Sequence, residues 1–164
     1  MINLPVIDQA QEIEGKRVLV RGDIDVPLHE GKIADDSRLQ DICPTIEYLI
    51  QKNCQVVLAG HLGRPEGKVV PELSSKPVRD WFDAKGVQIQ VLENLRFDPR
   101  EELNEEGFAR ELAGKADVYV NEAFAVDERA HTSVVGVPKL LPHYAGFRLA
   151  KEIEVLSKVM GRIF

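Results

Sequence analysis

Four short apolar runs punctuate the chain. Residues 16–21 (KRVLVR), 55–60 (QVVLAG), 87–92 (VQIQVL) and 117–121 (DVYVN) are rich in β-branched side chains, and the first follows Gly15. They predict strands. Between the first two, Asp35, Asp36 and Ser37 offer capping groups, after which Leu39, Ile42, Ile46, Leu49 and Ile50 keep helical spacing until Asn53 stops the run. Pro44 falls inside that helix and should kink it or mark its first stable turn. Further helices are predicted over 75–85, closed by Gly86, over 104–113, closed by Gly114, and over about 147–160. Strands that alternate with helices and lack hairpin turns imply βαβ units. The expected fold is α/β, a three-layer, Rossmann-like parallel sheet with helices on both faces.

The longest stretches without periodicity are 22–33, 61–73, 93–102 and 122–138, and each starts at or next to the end of a predicted strand. In an open parallel sheet the carboxyl ends of the strands lie along one edge, and ligands bind in the crevice outside it. The first loop carries Asp23 and Asp25, with Arg38 at the head of the next helix. The second carries His61 and Arg64, the third Arg96, and the fourth Arg129 and His131. A guanidinium group donates paired hydrogen bonds to phosphate or carboxylate and never loses its charge, and helix N-termini on the same edge add backbone donors. Taken singly, such arginines are solvated or paired with a neighbouring acid. Together on one rim they point to a small polyanion.

Composition narrows the choices further. At 164 residues, 44% hydrophobic and 29% charged, the chain suits one soluble domain covering 1–164. A net charge of −6 argues against general nucleic-acid affinity, so any anion must be caught locally. No apolar stretch reaches the roughly 18 to 20 residues that cross a bilayer, and no leader pattern opens the chain; a cytoplasmic protein without membrane contact is expected. Cys43 and Cys54 lie outside any C-x-x-C or Cys/His cluster and read as structural thiols. His29 and His143 have no partners at metal-ligand spacing, so no metal site is expected. Trp81 and Phe82 read as core.

At the same loops the chain resembles the phosphoglycerate kinase family. KRVLVRGDIDVPL is similar to the family's K-R-V-L-V-R-V-D-F-N-V-P-L, His61 to Pro65 stand as H-L-G-R-P, and residues 92–97 keep L-E-N-L-R-F. DVYVNEAF, followed by Arg129-Ala130-His131, looks like D-V-Y-V-N-D-A-F and the R-A-H segment. The resemblance implies the N-terminal half of such an enzyme, binding 3-phosphoglycerate or 1,3-bisphosphoglycerate through Asp23, Ile24, Asp25, Arg38, His61, Leu62, Gly63, Arg64, Arg96 and Arg129. Arg38 is implied as the catalytic residue that also faces the transferring phosphoryl group. It further implies a monomer whose Mg-ATP or Mg-ADP is held by a separate C-terminal domain, with residues 160–164 (MGRIF) standing about where the linker begins. Neither a G-x-x-x-x-G-K-[ST] loop nor a G-x-G-x-x-G turn occurs, so no nucleotide site and no turnover are expected of this chain by itself.

Three departures from the family pattern stand out. Asp25 replaces the usual Asn and Glu128 the common His; a second carboxylate facing an anion is repulsive unless neutralised, so both are expected to pair with rim arginines and to weaken binding. The segment before Leu92 is shortened, which should trim the sheet by a strand and leaves the strand order open. Two rivals remain. One is a stand-alone phosphometabolite-binding module. The other is a haloacid-dehalogenase-like phosphotransferase using Asp23 as nucleophile and Asp25 as acid, although its second strand would end in Ala59-Gly60-His61 without the hydroxyl that chemistry needs.

Overall fold

The computed structural model describes residues 5–126 and 128–160; residues 161–164, in the expected linker, lie outside them. The chain runs β1 (Arg17–Arg21), β2 (Leu28–His29), β3 (Lys32–Ile33), α1 (Ser37–Gln51), β4 (Gln55–Ala59), α2 (Lys76–Ala84), β5 (Gln90–Val91), α3 (Glu106–Ala113), β6 (Val118–Asn121), β7 (His143–Ala145) and α4 (Phe147–Met160). Five strands form one sheet in the order β5-β4-β1-β6-β7, and every pairing in it is parallel. The first strand sits at the centre, and the chain moves outward first to one side and then to the other. The direction of winding reverses between β1 and β6, the position at which doubly wound sheets open a crevice.

Alternation along β1 decides what lies on each face. Val18 and Val20 point to a core shared with Val56, Leu58, Val118 and Val120, and α1 and α2 cover it with Leu39, Ile42, Ile46, Leu49, Val78 and Phe82. Leu19, Val57 and Tyr119 point the other way, onto Phe108, Ala109, Leu112 and Ala113 of α3. Three layers result, with burial on both sides of the sheet, as the continuous apolar strands require. At the opposite edge Arg17 bridges to Asp117 at 2.7 Å, tying the starts of β1 and β6.

Several expectations need correction. The loop after β1 holds an antiparallel hairpin, Leu28–His29 on Lys32–Ile33, turned by Glu30 and Gly31 with φ of 50° and 72°. Its two-residue strands are too short to show alternation. The predicted strand over 87–92 shrinks to Gln90–Val91. The edge strand β7 has no counterpart in the hydrophobic pattern: His143, Tyr144 and Ala145 carry no apolar run, and the strand exists because its backbone pairs with β6. Helix α1 runs through Pro44 without starting there, and its entrance is held by Asp35 Oδ1 accepting from the Ser37 amide at 2.8 Å. Asp36 instead accepts from Trp81 Nε1 at 2.9 Å, so the half-buried Trp81 has a polar anchor while Phe82 is core. Both thiols donate to main-chain carbonyls and are pushed up in pKa by burial, as unreactive cysteines are.

Helix α4 is fastened at its first turn. Glu122, fully buried after β6, accepts from the Leu149 amide at 3.0 Å, the Arg148 amide at 3.4 Å and the Thr45 hydroxyl, while Thr45 Oγ1 accepts from the Phe147 amide at 3.0 Å. Tyr48 of α1 meets Phe147 edge-on, with ring centroids 5.5 Å apart. Burial pushes the Glu122 carboxyl up, while the hydroxyl and amides pull it back. Because every neighbour of this carboxylate donates, Glu122→Gln turns an amide N–H toward at least one donor. The expected loss is about 1–3 kcal/mol of stability, read from the urea midpoint; an unchanged midpoint would contradict this account of the cap.

Candidate functional site

The four loops after β1, β4, β5 and β6 meet along one edge, and the buried Arg21 ties them together. Arg21 ends β1 at 1% exposure. Its Nε donates to Ser133 Oγ at 2.8 Å, its Nη1 to the Gly22 carbonyl at 2.5 Å, and its Nη2 lies 3.0 Å from His61 Nδ1. Ser133 in turn donates to the buried Glu101 at 2.5 Å. An arginine only donates, so His61 Nδ1 accepts and the ring proton sits on Nε2. That nitrogen faces Asp25 Oδ2 at 3.6 Å. Burial pushes His61 below its ordinary pKa, Asp25 pulls the other way, and Arg21 and Arg96 add to the lowering. His61 therefore presents a neutral Nε2–H toward Asp25, just beyond hydrogen-bonding distance.

Asp25 accepts from the Gly63 amide at 2.8 Å. The His61 and Gly63 donors hold its carboxyl at about 2, against burial. The expectation that Asp25 pairs with a rim arginine is thus corrected: its partners are an imidazole and a backbone N–H. Glu128 is exposed and makes no ion pair among the described residues. Asp23, buried to 4% exposure, is the carboxylate that an arginine holds, with Arg38 Nη1 at 2.8 and 3.0 Å from its two oxygens. Such an engaged carboxylate is a poor nucleophile, which counts against the dehalogenase-like reading.

Arg96 sits differently from Arg38. It follows β5 in a short 3-10 turn, Leu95–Phe97, is 3% exposed, and donates from Nη1 to the Gly63 carbonyl at 2.9 Å. Its Nε and Nη2 are buried without a hydrogen-bond acceptor among the described residues; only Glu102 Oε1 approaches, at 3.5 Å from Nε. Burial lowers the Arg96 pKa, Glu102 opposes, and the nearby Arg129 and Arg21 lower it further. His131 lies in the same field: it is 8% exposed, its Nδ1 has no partner, and burial pushes its pKa down, with Arg96 and Arg129 contributing. Buried donors left open beside like charges form a ready anion site, since an arriving anion relieves both costs.

The remaining predicted residues divide into two groups. Arg64 is exposed without an ion pair among the described residues, and Arg129 is half-buried, so both side chains are free to reach a ligand. Ile24 and Leu62 are buried in the core at 0% and 1% exposure, so only their main chain can face a ligand. Gly63 has φ of +58°, and a Cβ there would meet Leu73 at 2.9 Å. Asn94 pins this loop, donating to the carbonyls of Leu62 at 2.8 Å and Leu73 at 2.9 Å while accepting from the Arg96 amide. A cleft of about 480 Å³ opens beside Asp25 and Gly63, walled by Leu28, Leu62 and Leu73.

Sequence reasoning missed Arg21, Asn94, Glu101, Ser133 and Arg148. Arg21 carried a legible signal, a charge closing a strand buried on both faces. Arg148 carried none, because its approach to Asp23 depends on how α4 lies against α1.

The phosphoglycerate kinase family model matches residues 7–86 and 79–163. The phosphoglycerate kinase of Moorella thermoacetica is 44% identical over 174 residues, covering 92% of this chain and 44% of that protein. That of Thermomicrobium roseum is 42% identical over 173 residues, with coverage of 91% and 44%. Among solved structures, phosphoglycerate kinase from Coxiella burnetii superposes with a TM-score of 0.89 at 32% identity, covering 94% of this chain and 44% of that one. The Pyrococcus horikoshii enzyme gives 0.81 at 26% identity, covering 94% and 45%. The chain therefore spans somewhat under half the length of the relatives it matches.

The Asp25 environment has a measurable consequence in acid. A carboxyl whose folded value lies near 2, below its unfolded value of 3.8, contributes stability that is full above pH 4 and lost as pH falls through 2. Asp25→Asn should be less stable than the parent at pH 7, with the gap closing on acidification. Urea unfolding at a series of pH values would show it; a gap that persists at pH 2 would count against the His61 and Gly63 contacts.

Proposed function

The chain belongs to the phosphoglycerate kinase family, and on that premise we propose that its rim binds 3-phosphoglycerate and 1,3-bisphosphoglycerate, as the substrate-binding half of the enzyme. The observation that carries this reading is the buried Arg96, with Nε and Nη2 open and with Arg129 and His131 close enough to act on one another's charge. A phosphate or carboxylate there gains charge-assisted hydrogen bonds from donors already desolvated and fixed. In this reading Arg64 and Arg129 close over the ligand, the main chain of Ile24, Leu62 and Gly63 lines it, and His61 orients the loop through Asp25. Arg38 turns from Asp23 to the transferring phosphoryl group, where catalysis rests on alignment and on positive charge at the equatorial oxygens.

The proposal places no Mg-nucleotide site in this chain. The sequence holds no phosphate-cradling glycine loop of the two common kinds, and among the described residues no three of His, Cys, Asp and Glu gather as metal ligands. The proposal gives the nucleotide to a separate C-terminal domain, makes residues 1–164 one N-terminal domain, and expects no turnover from this chain by itself. It carries with it a monomer acting in the cytoplasm. Among the described residues no helix is long and apolar enough to cross a membrane.

Calorimetry tests this directly. The chain should give heat with 3-phosphoglycerate and none with Mg-ATP, and Arg96→Met should weaken the first at least about tenfold, since hydrogen bonds to charged groups contribute about 1.5–3 kcal/mol each. Asp25→Asn should tighten binding by removing a like charge from the ligand's surroundings. Silence with 3-phosphoglycerate would end the proposal.

A further inference from the structure

Arg148, the second residue of α4, is held between two carboxylates without hydrogen-bonding to either. Its side chain is 20% exposed; Nη1 lies 3.8 Å from Asp23 Oδ2 and Nη2 3.7 Å from Asp41 Oδ2. Nη1 is buried and has no hydrogen-bond partner among the described residues. Asp23 is meanwhile engaged through a single nitrogen, Arg38 Nη1, on a side chain that is 43% exposed. The reading of the rim given above requires Arg38 to leave Asp23 for the substrate. A carboxylate 4% exposed and stripped of its counter-ion is strongly disfavoured, so Arg38 would stay locked unless another cation replaced it.

We propose that Arg148 is a positioning residue, a reserve counter-ion that takes over Asp23 when Arg38 turns to the ligand. The geometry suits the exchange. Nη1 needs to approach by only about 1 Å to reach charge-assisted hydrogen-bonding distance, and it gains a partner it lacks. Room exists, because Arg148 borders a cleft of about 420 Å³ between α1 and α4, lined also by Asp41, Pro44, Phe147 and Lys151. The base of Arg148 does not have to move, since its own amide and that of Leu149 are held by Glu122. The swap is therefore a side-chain event on a fixed helix.

This inference rests on 3-phosphoglycerate binding at the rim, and the parent chain tests that first: no heat on titration removes the reading and this inference with it. If the parent binds, Arg148→Met should weaken 3-phosphoglycerate at least about tenfold in calorimetry, because Arg38 then stays on Asp23. Arg148→Lys, which keeps a cation on a similar stem, should recover most of the loss. Melting temperatures of the three ligand-free chains should stay within a few degrees of one another. Binding by Arg148→Met as tight as the parent's would overturn the inference while leaving the rim reading intact. So would equal losses in the Met and Lys variants, or a loss that follows a matching fall in melting temperature, since either would make Arg148 a packing residue.

Discussion

Arg21 ends the central strand with a guanidinium group taken almost wholly out of water, and the cost of that desolvation dictates the order of the rim around it. Three loops must deliver acceptors to it, and they do so from fixed positions: Gly22 directly after β1, His61 after β4, and Ser133 after β6, itself backed by Glu101 from the loop after β5. Each partner is then committed. His61 cannot place its proton on Nδ1, so Nε2 carries it toward Asp25, and Asp25 fixes the Gly63 amide. One buried charge thus sets the tautomer of a histidine and, through it, a partner of the acid four residues further along its own loop.

The same pairing bears on how an acidic protein could offer the cationic rim proposed above. Fields from exposed charges fade over roughly 10 Å in salt, so the overall charge of −6 matters less at the rim than its nearest groups. There the acids are occupied by particular partners: Asp23 with Arg38, Asp25 with His61 and Gly63. Arg96 and His131 are left with buried, open nitrogens. Glu102, 3.5 Å from Arg96 Nε, stands against them.

Helix α4 joins this network through its N-terminus. Glu122, the residue directly after β6, holds the helix by the amides of Arg148 and Leu149, and Thr45 of α1 joins the same cap. A side chain projecting from so fixed a turn has a defined reach, and for Arg148 that reach spans Asp23 and Asp41. The anchoring of a helix and the electrostatics of the rim are thereby linked through two adjacent residues.

Much of this was written in the order of residues alone. Strand and helix periods gave the three layers, because continuous β-branched runs are stable only when buried on both faces, and the placement of Asp23, His61, Arg64, Arg96 and Arg129 in loops after strand ends, with Arg38 at the head of α1, made one edge their expected meeting place. The four motifs pointed to the family on their own. What the periods could not carry were elements held by partners and not by composition: the hairpin at 28–33, the edge strand His143–Ala145, and the shortened Gln90–Val91. Nor could they say which acid meets which base. That Asp23 takes the arginine while Asp25 takes the histidine, and that Arg148 stands in reserve beside them, depends on distances of a few ångströms between residues far apart in the chain. Hydrophobic spacing constrains faces and edges, whereas ion pairing is decided only when the packed layers fix the ends of the side chains.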